Sequence, residues 1–228
     1  MPWTWFFSCE FQLFLFVPII AMVAKKSKLF GYIVPIVLVV MDIILMSVLN
    51  GVASHPGANP YLDTAYFTDL YIKPWSRSIP YYLGVFFGTV FYNYVKNPDD
   101  SFMLNKIKYN PLLRAAMYVL GFSLMFVMVF SVYDYTKDYG TGWSTGARVA
   151  YATLSTPLFI LGLVLIIIPA LLNRAKLVRF LLIGPVLTLL ARSTYIVALS
   201  HPVLMIGIYV TTGQAIYMET YKMFAMFC

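Results

Sequence analysis

Residues 29–49 read LFGYIVPIVLVVMDIILMSVL, an apolar run that contains a single charged residue, Asp42. A helix needs about 20 mostly apolar residues to cross the hydrocarbon core of a bilayer, and this run has that length. The whole chain follows the same pattern, because 61% of its 228 residues are hydrophobic and only 11% are charged. Soluble domains carry about a quarter charged residues. The sequence therefore predicts an integral membrane protein.

Several further apolar runs predict an all-α, polytopic transmembrane bundle of five to six full spans, forming one domain over residues 1–228. The runs cover residues 3–24, 29–49, 79–95, 111–133, 149–172 and 177–212. The last run is too long for one ordinary helix, so we expect a short interfacial or re-entrant piece over 177–193 and a span from about Thr194. Residues 213–228 begin like another helix, which we expect to be truncated.

Lys and Arg residues are concentrated in alternate connecting segments. The segments at 25–28, 50–78, 96–110, 134–147 and 173–179 carry three, two, three, one and three of them. Cytosolic loops are enriched in Lys and Arg, so the first, third and fifth segments are predicted to be cytosolic. The formal charge of +7 thus belongs to loops and does not indicate nucleic-acid binding. Cys9 and Cys228 form neither a disulfide framework nor a metal-binding spacing.

Three ionisable residues, Glu10, Asp42 and His201, lie inside predicted spans. A charge at the bilayer centre costs roughly 2.5–3.5 kcal/mol on insertion scales, so each should face protein, a partner or water. Counting 1.5 Å per residue from the same membrane surface places Glu10 and Asp42 at similar depth on consecutive helices, where they could share a proton or flank one site. For each residue the alternative is a buried group hydrogen-bonded to a neighbouring helix. For Asp42 and His201 that alternative is favoured.

Other candidate residues lie near the ends of predicted spans. Arg192 and His201 are nine residues apart, which places them on opposite faces of an uninterrupted helix unless Pro202 kinks it. Gly84 and Gly88 have the four-residue spacing that allows close helix packing. Lys73, Trp75 and Arg77 would lie at the outer mouth of a helix, either as an interfacial anchor or as a cationic rim for a polar or anionic substrate.

Three segments together resemble the acyltransferase 3 superfamily, in particular its animal branch, the nose-resistant-to-fluoxetine proteins. The segments are WTWFFSCEFQLFLFVPII (3–20), DLYIKPWSRSIPYYLGVFFG (69–88) and GPVLTLLARSTYIVALSHPVLM (184–205). The residues that match the family's patterns are Trp5, Glu10, Gln12, Leu13 and Pro18 in the first, Tyr71, Lys73, Pro74, Trp75, Arg77, Pro80, Tyr81 and Gly84 in the second, and Arg192, Thr194, Tyr195, Leu199, His201 and Pro202 in the third. Glu10 replaces a more usual Asp, and Ala191, Ser193 and Ala198 also depart from the pattern.

The resemblance implies transfer of an acyl group from acyl-CoA, as donor substrate, to a hydroxyl-bearing acceptor within a helical bundle of about ten spans. No bound cofactor is implied. The family's usual catalytic histidine lies in its first span, and no segment of this chain matches that span. We therefore expect the chain to be the later part of such a domain, without its first spans and last helix. Glu10, Gln12, Tyr195 and His201 are the candidate cavity-lining residues, and the identity of the catalytic residues stays open.

Two alternatives to a membrane acyltransferase remain at this stage. A non-catalytic transporter, or a membrane protein that handles lipids or drugs, would also place acidic groups and prolines inside its spans. A structural remnant without activity is the third possibility. The sequence distinguishes neither the acceptor nor the organelle, which could be the plasma membrane or the endoplasmic reticulum.

Overall fold

The structure is a computed structural model that describes residues 5–52, 70–137 and 142–212. Within these ranges the chain is helical and contains no strand. Residues Phe6–Val178 form one compact unit, and residues 179–212 belong to a second.

Nine α-helices account for most of the described residues. They are α1 Trp5–Lys26, α2 Lys28–Val52, α3 Ser78–Lys96, α4 Phe102–Tyr109, α5 Pro111–Phe130, α6 Tyr133–Lys137, α7 Thr145–Leu171, α8 Lys176–Ile183 and α9 Pro185–Thr212. Two single 3₁₀ turns, Pro74–Arg77 and Pro98–Asp100, precede α3 and α4 respectively.

Four of these helices, α1, α2, α5 and α7, are long and apolar enough to cross a membrane. Large apolar side chains such as Phe14, Ile44 and Phe126 are exposed on these helices, as expected for surfaces that face lipid. The four helices indicate a membrane-embedded protein. The predicted count of five to six spans is not confirmed, because α3 and α9 are not among the four. In α3 the tyrosines and Asn93 lower the mean hydropathy of the helix.

Prolines inside the long helices do not end them. α1 continues through Pro18, α2 through Pro35, and α7 through Pro157 and Pro169. Pro35 and Pro169 are almost completely buried. Neighbouring helices therefore cover the places where a proline removes a backbone hydrogen bond.

Two polar residues cap the N-termini of α5 and α7. The Asn110 side chain accepts hydrogen bonds from the backbone N–H groups of Leu112 and Leu113, at 3.0 and 3.2 Å, with Pro111 at the first position of α5. Ser144 accepts from the N–H of Ala147 at 3.3 Å and caps α7 in the same way. Both are ordinary N-caps, which supply acceptors for the unpaired N–H groups of a first helical turn.

The boundary between α8 and α9 differs from the prediction. The short helix ends at Ile183, and α9 begins at Pro185 and continues to Thr212. A new helical piece beginning at about Thr194 was therefore wrong, since residues 185–193 belong to the long helix, and the start of a membrane span within it stays a prediction. The physical reason is the Gly184–Pro185 pair, because glycine interrupts a helix while proline is well suited to the first position of the next one. The predicted helix over 213–228 lies outside the described residues.

A close helix crossing lies between α5 and α7. A Cβ added to Gly121 would lie 2.8 Å from the carbonyl oxygen of Gly162, and a Cβ added to Gly162 would lie 2.8 Å from the carbonyl oxygen of Gly121. Each glycine thus faces the backbone of the other. Helices in a membrane gain packing energy by this kind of approach, which only small residues permit.

Gly84 and Gly88 do not serve the packing role predicted for them. Both are exposed, and a Cβ added to either meets no atom within 4 Å among the described residues. The two glycines therefore have the four-residue spacing, but no described helix packs against them. A second close approach instead joins α1 to α2, where a Cβ on Gly31 would lie 2.7 Å from the Cβ of Ala24.

We expect Gly121→Leu to destabilise the protein by about 1–3 kcal/mol, the usual cost of overpacking, because the added side chain would overlap a backbone oxygen that cannot rotate away. Unfolding of the purified protein in mixed micelles, followed by intrinsic fluorescence, measures the change. Gly84→Leu is the matched control, with the same substitution in open space, and should not destabilise the protein. Equal stability of the two variants would contradict the crossing.

Candidate functional site

The segment that leads into α3 forms a compact turn against α2. Leu70 is buried and packs with Met46 of α2. The hydroxyl of Ser76 donates to the carbonyl oxygens of Tyr71 and Lys73, at 3.0 and 2.8 Å, and these bonds close the turn. The start of α3 is thereby held at a defined position beside α2.

Asp42 of α2 is paired with Ser78, the first residue of α3. Both residues are buried, and the Ser78 hydroxyl donates to Oδ2 of Asp42. The Ser78 oxygen also lies 2.8 Å from the carbonyl oxygen of Trp75. A carboxyl group removed from water is costly unless it is hydrogen-bonded, so this contact offsets part of the cost of Asp42 in an apolar helix.

Glu10 of α1 is paired with Tyr81, one turn further along α3. Glu10 is half-buried, and the Tyr81 hydroxyl donates to its Oε2 atom. The neighbouring Cys9 is buried, and its thiol donates to the carbonyl oxygen of Ile72 at 3.2 Å. α1 therefore contacts both the first turn of α3 and the segment that precedes it.

The two carboxyl groups converge on one short stretch of α3, which we call the α3 anchor and define as residues 78–81. Ser78 and Tyr81 are three residues apart, a spacing that puts their side chains on neighbouring positions of the helix surface. This agrees with the similar depth predicted for Glu10 and Asp42. Instead of sharing one proton, each carboxyl group accepts a hydrogen bond from its own hydroxyl.

The predicted outer-mouth residues, Lys73, Trp75 and Arg77, all lie beside the α3 anchor, in or next to the 3₁₀ turn. Trp75 is exposed, whereas Lys73 and Arg77 are half-buried. The guanidinium carbon of Arg77 lies 4.0 Å from the centre of the Tyr71 ring, a distance typical of a cation–π contact. A positively charged and aromatic rim therefore borders the end of the bundle where both carboxyl groups are bonded.

Gln12 is not part of this junction. Its side chain is exposed, and its amide donates to the hydroxyl of Ser8 one turn earlier on the same helix, at 3.2 Å. Gln12 follows Glu10 by two residues, which places its side chain about 200° around the helix axis from that of Glu10. Gln12 therefore faces away from Tyr81.

The predicted site residues of the third segment, Tyr195 and His201, both lie on α9. His201 and Arg192 are exposed, and α9 continues without interruption through Pro202. The helix thus leaves Arg192 and His201 on opposite faces, as the spacing predicted. The side chain of Tyr195 lies outside the described residues. Glu10 belongs to the first compact unit and His201 to the second, so a cavity shared by the two stays a prediction.

Sequence reasoning did not assign roles to Ser78 and Tyr81, the partners of the two carboxyl groups. The sequence did contain a signal. Ser78 and Tyr81 are hydroxyl residues one helical turn apart, and they lie at the start of the helix that follows the two helices with acidic residues. The same pattern occurs on many helices without function. Only the contact of α3 with both α1 and α2 shows which carboxyl groups the hydroxyls meet.

A cleft of about 400 Å³ separates α1 from α3 beyond the anchor. A shallower apolar cleft of about 670 Å³ lies on the α5 surface and includes Phe126 and Phe159. A third, apolar pocket of about 190 Å³ lies between α3, α4 and α7. The three clefts thus lie beside different helices. Of these three, only the cleft between α1 and α3 is lined by a charged residue, Lys25.

No protein-family model, curated protein or solved structure matches this chain.

We expect Ser78→Ala to destabilise the protein by about 1–3 kcal/mol, because it leaves a buried carboxyl oxygen of Asp42 without a donor. In an Asp42→Ala background the same change should cost less, since no carboxyl group remains to be satisfied. Unfolding in mixed micelles across this double-mutant cycle measures the coupling. Ser123→Ala, at an exposed position of α5, is the control. An equal cost of Ser78→Ala in both backgrounds would rule out the pairing.

Proposed function

We propose that this chain is the later part of a multi-pass membrane acyltransferase of the acyltransferase 3 type, which transfers an acyl group from acyl-CoA to a hydroxyl-bearing acceptor. One observation carries the proposal. Two of the segments that resemble the family are about 70 residues apart in sequence, yet they meet through Tyr81 and Glu10 and through Cys9 and Ile72. Such contact is expected if the two segments build one site.

The proposed reaction is transesterification. The acceptor hydroxyl oxygen attacks the carbonyl carbon of the thioester, the new C–O bond forms as the C–S bond breaks, and the hydroxyl proton finally resides on the thiol of CoA. A base within hydrogen-bonding reach must take that proton during the attack. The resemblance implies that this base is a histidine supplied by a segment outside residues 1–228. The remainder of the domain is thus the proposed partner of the present chain.

In this proposal the residues around the α3 anchor position the acceptor and perform no proton transfer themselves. Glu10 and Tyr81 hold the ends of α1 and α3 together, while Lys73 and Arg77 provide cationic groups for a polar or anionic acceptor. The transfer of both substrates out of bulk water would also limit hydrolysis of the thioester.

The proposed topology has five to six spans. α3 has 19 residues, which corresponds to about 28 Å of helix and nearly matches a hydrocarbon core of about 30 Å. α9 has 28 residues, enough to cross with a tilt. The proposed location is a cellular membrane, and the proposal applies equally to the plasma membrane and the endoplasmic reticulum.

Membranes that contain the complete gene product should convert radiolabelled acyl-CoA and a hydroxyl acceptor into a labelled ester and free CoA thiol. Glu10→Gln and Tyr81→Phe should each lower the rate by about 10- to 100-fold, the range expected when reacting groups are misplaced by about 1 Å. Glu10→Asp should retain most of the activity, because it keeps the carboxyl group and matches the residue more usual in the family.

Tyr133→Phe is the matched control for Tyr81→Phe, since Tyr133 is exposed and lies on another helix, α6. Expression and melting temperature should be compared for all variants. The proposal fails if membranes with normal amounts of protein release no CoA, or if Glu10→Gln and Tyr81→Phe leave the rate unchanged. Movement of lipid or drug across vesicles without ester formation would instead support the transporter alternative.

A further inference from the structure

The cleft between α1 and α3 has two regular walls. The α1 wall consists of Val17, Ala21, Ala24 and Lys25, and the α3 wall of Val85, Gly88, Thr89, Tyr92 and Asn93. Both sets follow the spacing of one helix face, at intervals of three, four, seven and eight residues. The cleft is therefore a slot between two helix faces and not a loop cavity.

The two walls run in the same direction along the bundle. At one end, Glu10 of α1 bonds to Tyr81 near the start of α3. At the other end, Lys25 and Asn93, close to the last residues of the two helices, line the same cleft. α1 and α3 are thus parallel, tied together at the anchor and separated further along.

The start of α2 lies against both helices near the end of the slot that contains Lys25 and Asn93. A Cβ on Gly31 would lie 2.7 Å from the Cβ of Ala24 and 3.3 Å from Cγ2 of Thr89, so the α2 backbone closely approaches both walls. The amide of Asn93 donates to the hydroxyl of Tyr32 at 2.7 Å and is thereby oriented. An open side remains between α1 and α3, where lipid surrounds a membrane helix.

The slot changes from apolar to polar along its length. Small or apolar side chains, among them Val17, Ala21 and Gly88, line one part, while Lys25, Tyr92 and Asn93 lie at the end near the α1–α2 turn. Lys25 presents an ammonium group, Tyr92 a hydroxyl, and the Asn93 amide has a second N–H besides the one used by Tyr32. These donors fit an anionic oxygen group, and the apolar part fits a hydrocarbon chain.

We propose that this slot binds one anionic phospholipid, with an acyl chain beside Ala21 and Gly88 and the phosphate near Lys25 and Asn93. The commitment to a phospholipid rests on charge complementarity and on the position of the slot along α1, a candidate membrane helix. Basic pockets between membrane helices bind anionic lipid headgroups by the same combination of forces. The proposal does not depend on acyl transfer.

Native mass spectrometry of the purified protein in detergent, titrated with dioleoylphosphatidylglycerol or dioleoylphosphatidylcholine, tests the headgroup part of the proposal. The wild type should hold one phosphatidylglycerol more tightly than phosphatidylcholine. Lys25→Gln should weaken phosphatidylglycerol binding by about fivefold, the effect of one Lys beside an anionic lipid surface. Lys26→Gln, which removes the same charge from the next residue outside the cleft, should change binding by less than about twofold. Equal losses in both variants would overturn the site.

Two substitutions that fill the apolar part of the slot test the position of the acyl chain. Gly88→Leu and Ala21→Leu should weaken binding of both lipids, whereas Gly84→Leu, one turn away from the slot on the same helix and equally exposed, should bind like the wild type. Unchanged lipid binding in both Gly88→Leu and Ala21→Leu would overturn the proposal. Displacement of the bound lipid by glycerol phosphate at equal concentration would also overturn it, because the slot would then recognise phosphate without the chain.

Discussion

Two carboxyl groups in otherwise apolar helices require hydrogen-bond donors, and the α3 anchor supplies a hydroxyl to each. Asp42 and Glu10 come from different helices, and their partners Ser78 and Tyr81 are only one turn apart. A buried carboxyl group without a donor costs more free energy than an ordinary lost hydrogen bond. Meeting that requirement at one place holds α1, α2 and the start of α3 at one level of the bundle.

Beyond the anchor, α1 and α3 separate. Their polar contacts are concentrated at one end, and further along the facing residues are too small to fill the space between two helices, which leaves the slot beside Ala21 and Gly88. The pair α5 and α7 shows the opposite arrangement. There, Gly121 and Gly162 allow contact between the two backbones, and the Tyr151 hydroxyl of α7 donates to the carbonyl oxygen of Met128 of α5 at 2.9 Å.

Much of the helical architecture could be predicted from the sequence, because a helix that can cross a membrane is specified by the local length and polarity of an apolar run. The helices begin and end within a few residues of most predicted runs. The exception, the start of α9, depended on the Gly184–Pro185 pair inside a continuous apolar run. That Glu10 and Asp42 lie at a similar level of the bundle could also be predicted, since it follows from counting residues along each helix.

Contacts between helices could not be predicted in the same way. Gly84 and Gly88 have a packing spacing but face open space, whereas Gly121 and Gly162 have no second glycine four residues away and become a pair only when the helices cross. Similarly, nothing local distinguishes Ser78 and Tyr81 from other hydroxyl residues.

The central claim is that α1 meets the start of α3. It is tested most directly by oxidative crosslinking between the native Cys9 and the cysteine introduced by Ile72→Cys, in a chain that also carries Cys228→Ser. These substitutions leave both carboxyl pairs intact. We predict rapid disulfide formation with Ile72→Cys and none with Lys96→Cys at the other end of α3. Absence of the Cys9–Ile72→Cys crosslink, or equal crosslinking at both positions, would contradict the account.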